Sequence, residues 1–208
     1  MPTRRQVLSP LSAAFDTARA TDAFLVSVLE MGADVPALLD AYERLIAAHG
    51  IGQAQRAEGS TLRSISLTHR PGAADPFYDG NQSQFDPVTG MMVYSEAEFT
   101  EFNKQLRGTA FESVYHSLPF RVGRARLMVL PPLTVYNMHS DSAPRAHFAL
   151  TTNPGCWLIS QTGKAHHVPA DGSLYVFDTT RPHTALNASQ LTRVHLTLSM
   201  ADFEIPRV

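Results

Sequence analysis

The sequence predicts a mainly β protein with helices near its N-terminus and an antiparallel sandwich or barrel in its second half. Apolar residues recur at helical spacing in the first third of the chain, whereas residues 119–208 consist of short β-prone runs. Pro, Gly, Asn and Asp separate those runs, as is typical of strands joined by turns. With 208 residues, 44% of them hydrophobic and 17% charged, the chain can form one globular domain.

Two helices are predicted in the first 50 residues. Thr21 and Asp22 are helix-capping residue types, an apolar set at helical spacing follows over residues 24–31, and Gly32 comes next as a stop signal. The second helix is predicted to begin at Asp34 and to end at Gly50.

The middle of the chain is predicted to be irregular from residue 52 to about residue 90. Residues 62–67 suggest one strand there, and turn-forming residues follow it. Since long irregular segments of compact domains are often functional, we expect part of this one to cover a pocket. Ser95-Glu96-Ala97-Glu98 has the form of a capping box, which predicts a helix that runs towards Gly108.

Five strands are predicted after Pro119. They are Arg126 to Leu130, Ala146 to Thr151, Cys156 to Ser160, Leu174 to Phe177 and Val194 to Leu198. We therefore predict a single domain over residues 1–208. In it, residues 1–118 form a mostly helical and irregular support and lid region, and residues 119–208 form the β core.

Composition excludes several classes of protein. The formal net charge of -2 gives no electrostatic reason to expect nucleic acid as a partner. The single cysteine, Cys156, cannot form an internal disulfide or a cysteine-based zinc site. No apolar run approaches the roughly 18 to 20 residues needed to cross a bilayer, and the start lacks a signal-peptide core. We expect a cytoplasmic protein without a membrane or nucleic-acid partner.

Three residues form a pattern that predicts a metal site. His139 and Asp141 are separated by one residue and share a face if the backbone is extended, and His183 follows a predicted strand about forty positions later. Two imidazoles and one carboxylate are the ligands of the facial triad that holds Fe(II) and leaves positions open for a cosubstrate and O2. The sequence therefore predicts iron on His139, Asp141 and His183.

Arg193 lies ten positions after His183, at the start of a predicted strand. An iron oxygenase that uses 2-oxoglutarate must hold the distal carboxylate of this cosubstrate, and a guanidinium can do so through two parallel hydrogen bonds. We therefore predict that Arg193 binds 2-oxoglutarate. His195 shares the strand face of Arg193, which fits either a residue close to the site or a buried core histidine.

These motifs resemble the Fe(II)/2-oxoglutarate-dependent dioxygenases. The stretch Arg145 to Leu150, together with Phe177-Asp178, His183 and Asn187, is similar to the aspartyl/asparaginyl β-hydroxylase-like branch, which includes proline hydroxylases. The resemblance covers roughly residues 124–200. It implies a double-stranded β-helix, a cupin-like jelly roll, with Fe(II), 2-oxoglutarate and O2 as cofactors and ascorbate as a supporting reductant. It also implies that Arg145 and His147 face the cosubstrate.

The resemblance implies hydroxylation of an unactivated C–H bond, coupled to decarboxylation of 2-oxoglutarate to succinate. The peptide hydroxylases of this branch lack the acidic ligand, whereas Asp141 is present here, so we expect an amino-acid-like small molecule as substrate. A halogenating relative would have a small residue in place of Asp141. The predicted substrate contacts are Arg126, Asn137 and Arg70.

Two alternatives remain at this point. The chain could hydroxylate a side chain within a peptide, in which case the irregular segment would form a peptide groove. It could instead be a cupin-type metal-dependent isomerase or binding protein that needs no 2-oxoglutarate, since a fold does not dictate its chemistry.

Overall fold

A computed structural model describes residues 4–49, 63–81, 84–86 and 88–205. The helices are α1 (Arg4–Ala20), α2 (Val35–His49) and α3 (Ala110–Ser117), and short 3-10 helices cover Glu96–Glu98, Lys104–Leu106 and Ala201–Phe203. The first six strands are β1 (Leu25–Glu30), β2 (Arg63–Ser66), β3 (Thr68–His69), β4 (Glu101–Phe102), β5 (Val122–Leu130) and β6 (Thr134–Val135). The remaining strands are β7 (Arg145–Thr151), β8 (Cys156–Ser160), β9 (Ala165–His166), β10 (Ser173–Phe177), β11 (His183–Asn187) and β12 (Arg193–Met200).

Two antiparallel sheets form the body of the described structure. The larger sheet has six strands in the order β1-β10-β7-β12-β5-β2, and the smaller has four in the order β6-β11-β8-β9. Strands β3 and β4 form a separate pair. All five strands predicted after Pro119 are present, so the predicted antiparallel sandwich is confirmed, and its architecture is the jelly roll that the resemblance implies.

The strands of the larger sheet carry different chemistry on their two faces. On β12, Val194, Leu196 and Leu198 point outwards into an apolar core that they share with side chains of α1, α2 and α3. Because neighbouring strand residues point to opposite faces, Arg193 and Thr197 point inwards, towards the smaller sheet. The same alternation on β5 and β7 directs their arginines and histidine to the inner face. This sheet therefore stabilises the fold with one face and presents polar groups with the other.

A second, smaller core closes one part of the space between the sheets. It consists of the buried residues Phe24, Leu130, Ala149, Leu158, Val168, Phe177 and Ala185. Leu158 and Ala185 also line the polar cavity described below. Apolar packing thus borders the cavity directly.

The predicted helix over residues 24–31 is wrong, since Leu25–Glu30 forms β1 and pairs with β10. Short apolar runs do not distinguish a helix from a strand, and pairing with a neighbouring strand decides the outcome. Thr21 and Asp22 lie at the end of α1 rather than at the start of a new helix. The amide of Thr21 donates to the carbonyl of Thr17, and Asp22 has a φ of 54°. The chain therefore turns here into a strand.

The capping box at Ser95 is confirmed, but the helix after it is much shorter than predicted. The Ser95 hydroxyl accepts from the Ala97 amide at 3.0 Å, and the Ser95 amide donates to Glu98 at 2.7 Å. The 3-10 helix ends at Glu98 because the chain then forms β4, which pairs with β3. A true α-helix, α3, begins only at Ala110.

The predicted division of the domain at residue 118 stays a prediction, although the larger sheet crosses it. Strands β1 and β2 precede that boundary and form the two edges of the six-stranded sheet. The helix predicted from Asp34 is present as α2, whereas its predicted stop at Gly50 and the start of the strand at Leu62 lie outside the described residues. Among the described residues, no helix combines the length and apolar character needed to span a membrane.

Candidate metal centre and active site

The structure brings His139, Asp141 and His183 together between the sheets. One potential ligand atom from each lies within 4.8 Å of the other two, and among the described residues this is the only such cluster of three. The backbones of His139 and His183 form an antiparallel bridge, with reciprocal N–H···O bonds of 3.0 and 2.8 Å. The Asp141 amide donates to the Thr179 carbonyl at 2.9 Å. Backbone pairing therefore fixes all three ligand positions.

Both histidines present the same nitrogen to the cluster. His139 Nδ1 lies 2.9 Å from the carbonyl oxygen of Asn137, and His183 Nδ1 lies 3.0 Å from that of Arg181. A carbonyl can only accept, so each Nδ1 carries a proton, and Nε2 is the ring nitrogen left to bind a metal. Backbone contacts of this kind orient metal-binding imidazoles in known metal sites.

Asp141 is held as a carboxylate by Arg145. The Nε of Arg145 donates to Oδ2 and its Nη2 to Oδ1, both at 3.1 Å. Burial alone would raise the pKa of Asp141, but the charge and hydrogen bonds of Arg145 outweigh burial and lower this pKa far below its usual value. The acidic member of the triad is therefore ionised at neutral pH.

Arg145 also contacts a second carboxylate, that of the fully buried Glu96. Its Nη2 donates to Glu96 Oε1 at 2.7 Å, and the same oxygen accepts from Arg124 Nη2 at 3.0 Å. Burial raises the pKa of Glu96, but the two arginines lower it more strongly, to about 2. The result is a chain of alternating charges that runs from Arg124 through Glu96 and Arg145 to Asp141.

The backbone around Glu96 explains how a carboxylate reaches this position. Gly123 lies against the Glu96 carbonyl, and a Cβ at this glycine would collide with that oxygen and with the Ser199 hydroxyl. Glu204 accepts from the Glu96 amide at 2.8 Å and from the Ser95 hydroxyl. The capping box thus helps to hold Glu96 in contact with Arg145, the hydrogen-bond partner of the Asp141 carboxylate.

We predict that Glu96 makes stability depend on acid pH. Its folded pKa of about 2 lies below the ordinary value of 4.5, so its contribution is complete above about pH 4.5 and is lost as the pH falls towards 2. The full shift corresponds to about 3 kcal/mol. Urea unfolding at pH 7, 4 and 3 should show a smaller loss of stability on acidification in Glu96→Gln than in the parent chain.

Glu43→Gln is the matched control for this measurement, since Glu43 is exposed on α2. It should follow the parent curve. Equal acid sensitivity in Glu96→Gln and the parent chain would contradict the assignment of this carboxylate as ionised and paired.

Arg193 is almost completely buried, yet part of its guanidinium is unpaired. Its Nε and Nη1 have no hydrogen-bond partner among the described residues, and the same is true of the buried hydroxyl of Tyr136. Both side chains line the cavity that contains the triad. Burial lowers the pKa of Arg193 and raises that of Tyr136. Unpaired donors in such a place are costly unless an acceptor occupies the cavity.

His147 lies on the inner face of β7 and lines the triad cavity. Its ring stands edge-on to Phe177, and its Nδ1 is 3.5 Å from the Thr197 hydroxyl. Burial, followed by the charge of Arg193, lowers the pKa of His147 to about 3. His147 is therefore a neutral lining residue.

The predicted substrate contacts fall in different places. Arg126 lines the triad cavity, as the prediction requires. Arg70 does not: it forms an ion pair with Asp79 at 2.6 Å and lines a separate open pocket. The side chain of Asn137 is exposed and does not line the cavity, and this residue contributes its backbone carbonyl to His139. The cavity is thus built without the side chains of Arg70 and Asn137.

Sequence reasoning missed Glu96 and Arg124. It also assigned Arg145 to the cosubstrate, whereas the structure pairs this arginine with the carboxylates of Asp141 and Glu96. Glu96 follows a helix cap, where an exposed side chain is the normal expectation. The available signal was the spacing Arg124-x-Arg126, which puts both arginines on one face of β5, although the predicted strand began only at Arg126. Two arginines on a single inner face require a buried counter-charge nearby.

A family comparison identifies the class of protein. The model for aspartyl/asparaginyl beta-hydroxylase matches residues 87–202, which include the triad, Glu96 and Arg193. The chain belongs to this family. The triad cavity is therefore part of an aspartyl/asparaginyl beta-hydroxylase domain. Comparison with curated proteins found no match.

One solved structure with a TM-score of 0.50 shows the same fold, and two others match with lower scores. A prolyl hydroxylase from Trichoplax adhaerens, in complex with a peptide fragment of the hypoxia inducible factor oxygen degradation domain, is 12% identical; the match covers 98% of this chain and 94% of that chain, with a TM-score of 0.50. A Pseudomonas putida prolyl-4-hydroxylase is 18% identical over 94% and 99% of the two chains, with a TM-score of 0.47. A cupin domain from Bordetella pertussis Tohama I is 19% identical over 37% of this chain and 79% of that chain, with a TM-score of 0.33. At 12% identity, the likeness between this beta-hydroxylase family member and the Trichoplax adhaerens structure concerns the fold alone.

Proposed function

We propose that this protein is an Fe(II)/2-oxoglutarate-dependent hydroxylase whose substrate is a small anionic molecule of the amino-acid type. The observation that carries the proposal is the pairing, in one cavity, of a two-histidine, one-carboxylate cluster with a buried guanidinium whose Nε and Nη1 are unpaired among the described residues. Membership of the aspartyl/asparaginyl beta-hydroxylase family supports it.

The cluster fits a divalent iron ion. Two neutral imidazole Nε2 atoms and one ionised carboxylate form the ligand set of the facial triad, which suits Fe(II). Because Arg145 occupies one lone pair on each Asp141 oxygen, this side chain is already oriented before an ion arrives. We assign His139, Asp141 and His183 as the residues that would hold iron.

The donors at the inner end of the cavity fit the distal carboxylate of 2-oxoglutarate. Arg193 offers Nε–H and Nη1–H, and Tyr136 offers its hydroxyl. Binding a carboxylate would supply an acceptor for unpaired donors of this set and would neutralise a buried charge. We therefore keep Arg193 as the cosubstrate anchor and add Tyr136 to it. A cupin-type isomerase would leave these donors without a purpose.

The proposed reaction balances as a four-electron reduction of dioxygen. One oxygen atom enters the substrate as a hydroxyl group in place of hydrogen, and the other enters succinate as 2-oxoglutarate loses CO2. Iron, when bound, supplies the one-electron chemistry that activates O2. The chain itself orients the ligands through Arg145, anchors the cosubstrate through Arg193, and keeps bulk water out through the apolar wall around Leu158.

The charge balance of the cavity favours an anionic substrate. Arg145 is paired with Asp141 and Glu96, and Arg124 is paired with Glu96. Among the described residues, Arg126 has only a single long hydrogen bond from its Nη1, 3.3 Å from the Gly80 carbonyl. Burial, with the charges of Arg124 and Arg145, lowers the pKa of Arg126 to about 9. A substrate carboxylate placed at Arg126 would relieve this excess of positive charge.

A peptide substrate is the second candidate, and exposed apolar side chains beside His139 and in the segment that contacts Ser142 favour it. Val88 and Met91 are 90% and 70% exposed, in a segment tied to the site through Gln84, which donates to the Ser142 hydroxyl at 2.7 Å. Met138, next to His139, is 52% exposed. Such side chains could contact the flanking residues of a peptide, which a free amino acid lacks.

The deciding experiment measures succinate formation by the purified protein with Fe(II), 2-oxoglutarate and ascorbate across free amino acids, short peptides and other metabolites. Stimulation by free amino acids supports the first candidate, and stimulation by peptides alone supports the second. If the protein neither binds 2-oxoglutarate in the presence of a divalent metal nor consumes it with any substrate, the proposed hydroxylase function is wrong.

Arg126→Gln provides a prediction for the substrate contact. Loss of one charge-assisted contact corresponds to about 2 kcal/mol, so KM for the stimulating anionic substrate should rise roughly thirtyfold. KM for 2-oxoglutarate should change little, because Arg193 holds that ligand. Arg107→Gln, at an exposed position, is the control. A rise in the KM of the cosubstrate alone would show that the two arginines have been assigned the wrong way round.

A further inference from the structure

The carboxylate of Glu204 accepts hydrogen bonds from two segments that border the ligand Asp141. Its Oε1 accepts from the Ser142 hydroxyl at 3.1 Å and from the Glu96 amide at 2.8 Å, and its Oε2 accepts from the Ser95 hydroxyl. Ser142 directly follows Asp141 in the chain, and its side chain is fully buried. One carboxylate therefore joins the segment that carries the metal ligand to the segment that carries Glu96.

Backbone and side-chain contacts act together on Ser142. The Ile205 amide donates to the Ser142 carbonyl at 2.8 Å, so residues 204 and 205 contact both the side chain and the main chain of Ser142. From another segment, Gln84 Nε2 donates to the Ser142 hydroxyl at 2.7 Å. Because this hydroxyl accepts one hydrogen bond and donates another, its orientation is fixed.

A short 3-10 helix determines where Glu204 lies. Within this helix, Asp202 accepts from the Arg121 amide at 2.8 Å. The ring of Phe203 packs against that of Phe15 on α1, with 4.8 Å between the centroids. Glu204 therefore follows an element that is anchored both to the chain before β5 and to α1.

Two routes lead from Glu204 to Asp141. Through the Ser142 hydroxyl, Glu204 fixes the backbone next to Asp141. Through the Glu96 amide, it holds the residue whose carboxylate binds Arg145, and Arg145 in turn donates to both oxygens of Asp141. The backbone position and the carboxylate orientation of this ligand therefore both depend on Glu204.

We propose that Glu204 is a positioning residue that holds Asp141 in the geometry needed to bind a metal ion. Glu204 lies outside residues 87–202, the part of the chain that the family model matches. The inference rests on the proposed function, because it assumes that the triad binds a divalent cation. A site whose ligands adopt the binding geometry only part of the time loses affinity in proportion to that fraction. Removing the Glu204 carboxylate should therefore lower metal affinity, although Glu204 is not a member of the ligand cluster.

The first test measures Mn(II) binding by calorimetry. We expect Glu204→Leu, which removes three acceptor contacts, to weaken Mn(II) binding about tenfold. Glu204→Gln should stay within about twofold of the parent, because its amide oxygen can accept from Ser142 and Glu96 and its NH2 group can donate to the Ser95 hydroxyl. Glu43→Leu, at an exposed position on α2, is the control and should bind Mn(II) as the parent does.

Hydrogen exchange in the metal-free protein tests the same role without a ligand. In Glu204→Leu, the amides of residues 139–143 should exchange about tenfold faster than in the parent, whereas those of β8, Cys156–Ser160, should keep their parental rates. A contribution to overall stability alone would accelerate exchange in both segments. The comparison therefore separates local positioning from a merely structural role.

The outcomes distinguish this inference from the proposed function. If the parent protein does not bind Mn(II), the proposed function fails and this inference fails with it. If the parent binds Mn(II) and Glu204→Leu binds it equally tightly, or if exchange rises equally in both segments, the positioning role is overturned and the proposed function stands.

Ser142→Ala covers the case in which Glu204→Leu does not fold. This substitution removes a single hydroxyl and with it one of the two routes from Glu204 to Asp141. It should weaken Mn(II) binding about threefold. Parental Mn(II) affinity in Ser142→Ala would then overturn the proposal.

Discussion

Replacing Asp141 by alanine is expected to abolish substrate-dependent succinate formation, with a loss of about a thousandfold, equivalent to roughly 4 kcal/mol. The substitution removes the anionic ligand, and it also leaves the buried Arg145 with Glu96 as its remaining carboxylate partner. Both changes lower the affinity of the site for a divalent cation. Binding of Mn(II) or Fe(II), measured by calorimetry without oxygen, should fall in parallel with turnover.

Two comparison variants make this prediction specific. Asp16→Ala, at an exposed position on α1, should keep parental turnover and metal affinity. His183→Ala should behave like Asp141→Ala, because it removes a ligand from the same cluster. If both triad variants still bound the metal as the parent does, the ion would have to bind at another site.

The second large effect is expected at Arg193. Replacement by leucine removes both the buried positive charge and the guanidinium donors that face the distal carboxylate, which together correspond to about 4 kcal/mol, so the affinity for 2-oxoglutarate should fall by about a thousandfold. Arg193→Lys keeps the charge but loses the planar pair of donors, and an intermediate loss is expected. Calorimetry with the Mn(II)-loaded protein measures both variants.

Metal affinity distinguishes this effect from misfolding. Arg193 is not a ligand of the cluster, so both variants should bind Mn(II) as the parent does. Arg107→Leu, at an exposed position, should leave the affinity for 2-oxoglutarate unchanged. If Arg193→Leu bound 2-oxoglutarate normally, the cosubstrate anchor would have to be another residue, and Arg126 would be the first to examine.

The β core could be predicted from the sequence because its strands are short apolar runs bounded by turn residues. Cys156–Ser160, for example, has the predicted bounds. The strand β1 could not be predicted in this way, since Leu25–Glu30 owes its conformation to pairing with β10, 143 or more residues away in the chain. Contacts at such separation leave no local signature.

The same distinction applies to the site. The three triad residues could be predicted to meet because their residue types and order are unusual, and the structure places their ligand atoms together. The partners of those residues could not be predicted. Glu96 reaches Arg145 from a separate 3-10 helix, and only the folded chain shows that this arginine is paired within the protein.

The reciprocal backbone bonds between His139 and His183 have a consequence for how the site is assembled. Two backbone hydrogen bonds set the separation of the two residues. The spacing of their imidazoles therefore does not depend on the ordering of long, flexible side chains. Little conformational entropy remains to be lost when a cation arrives. Loading should therefore be a docking event onto a preorganised scaffold, without the coupled folding that small zinc modules undergo.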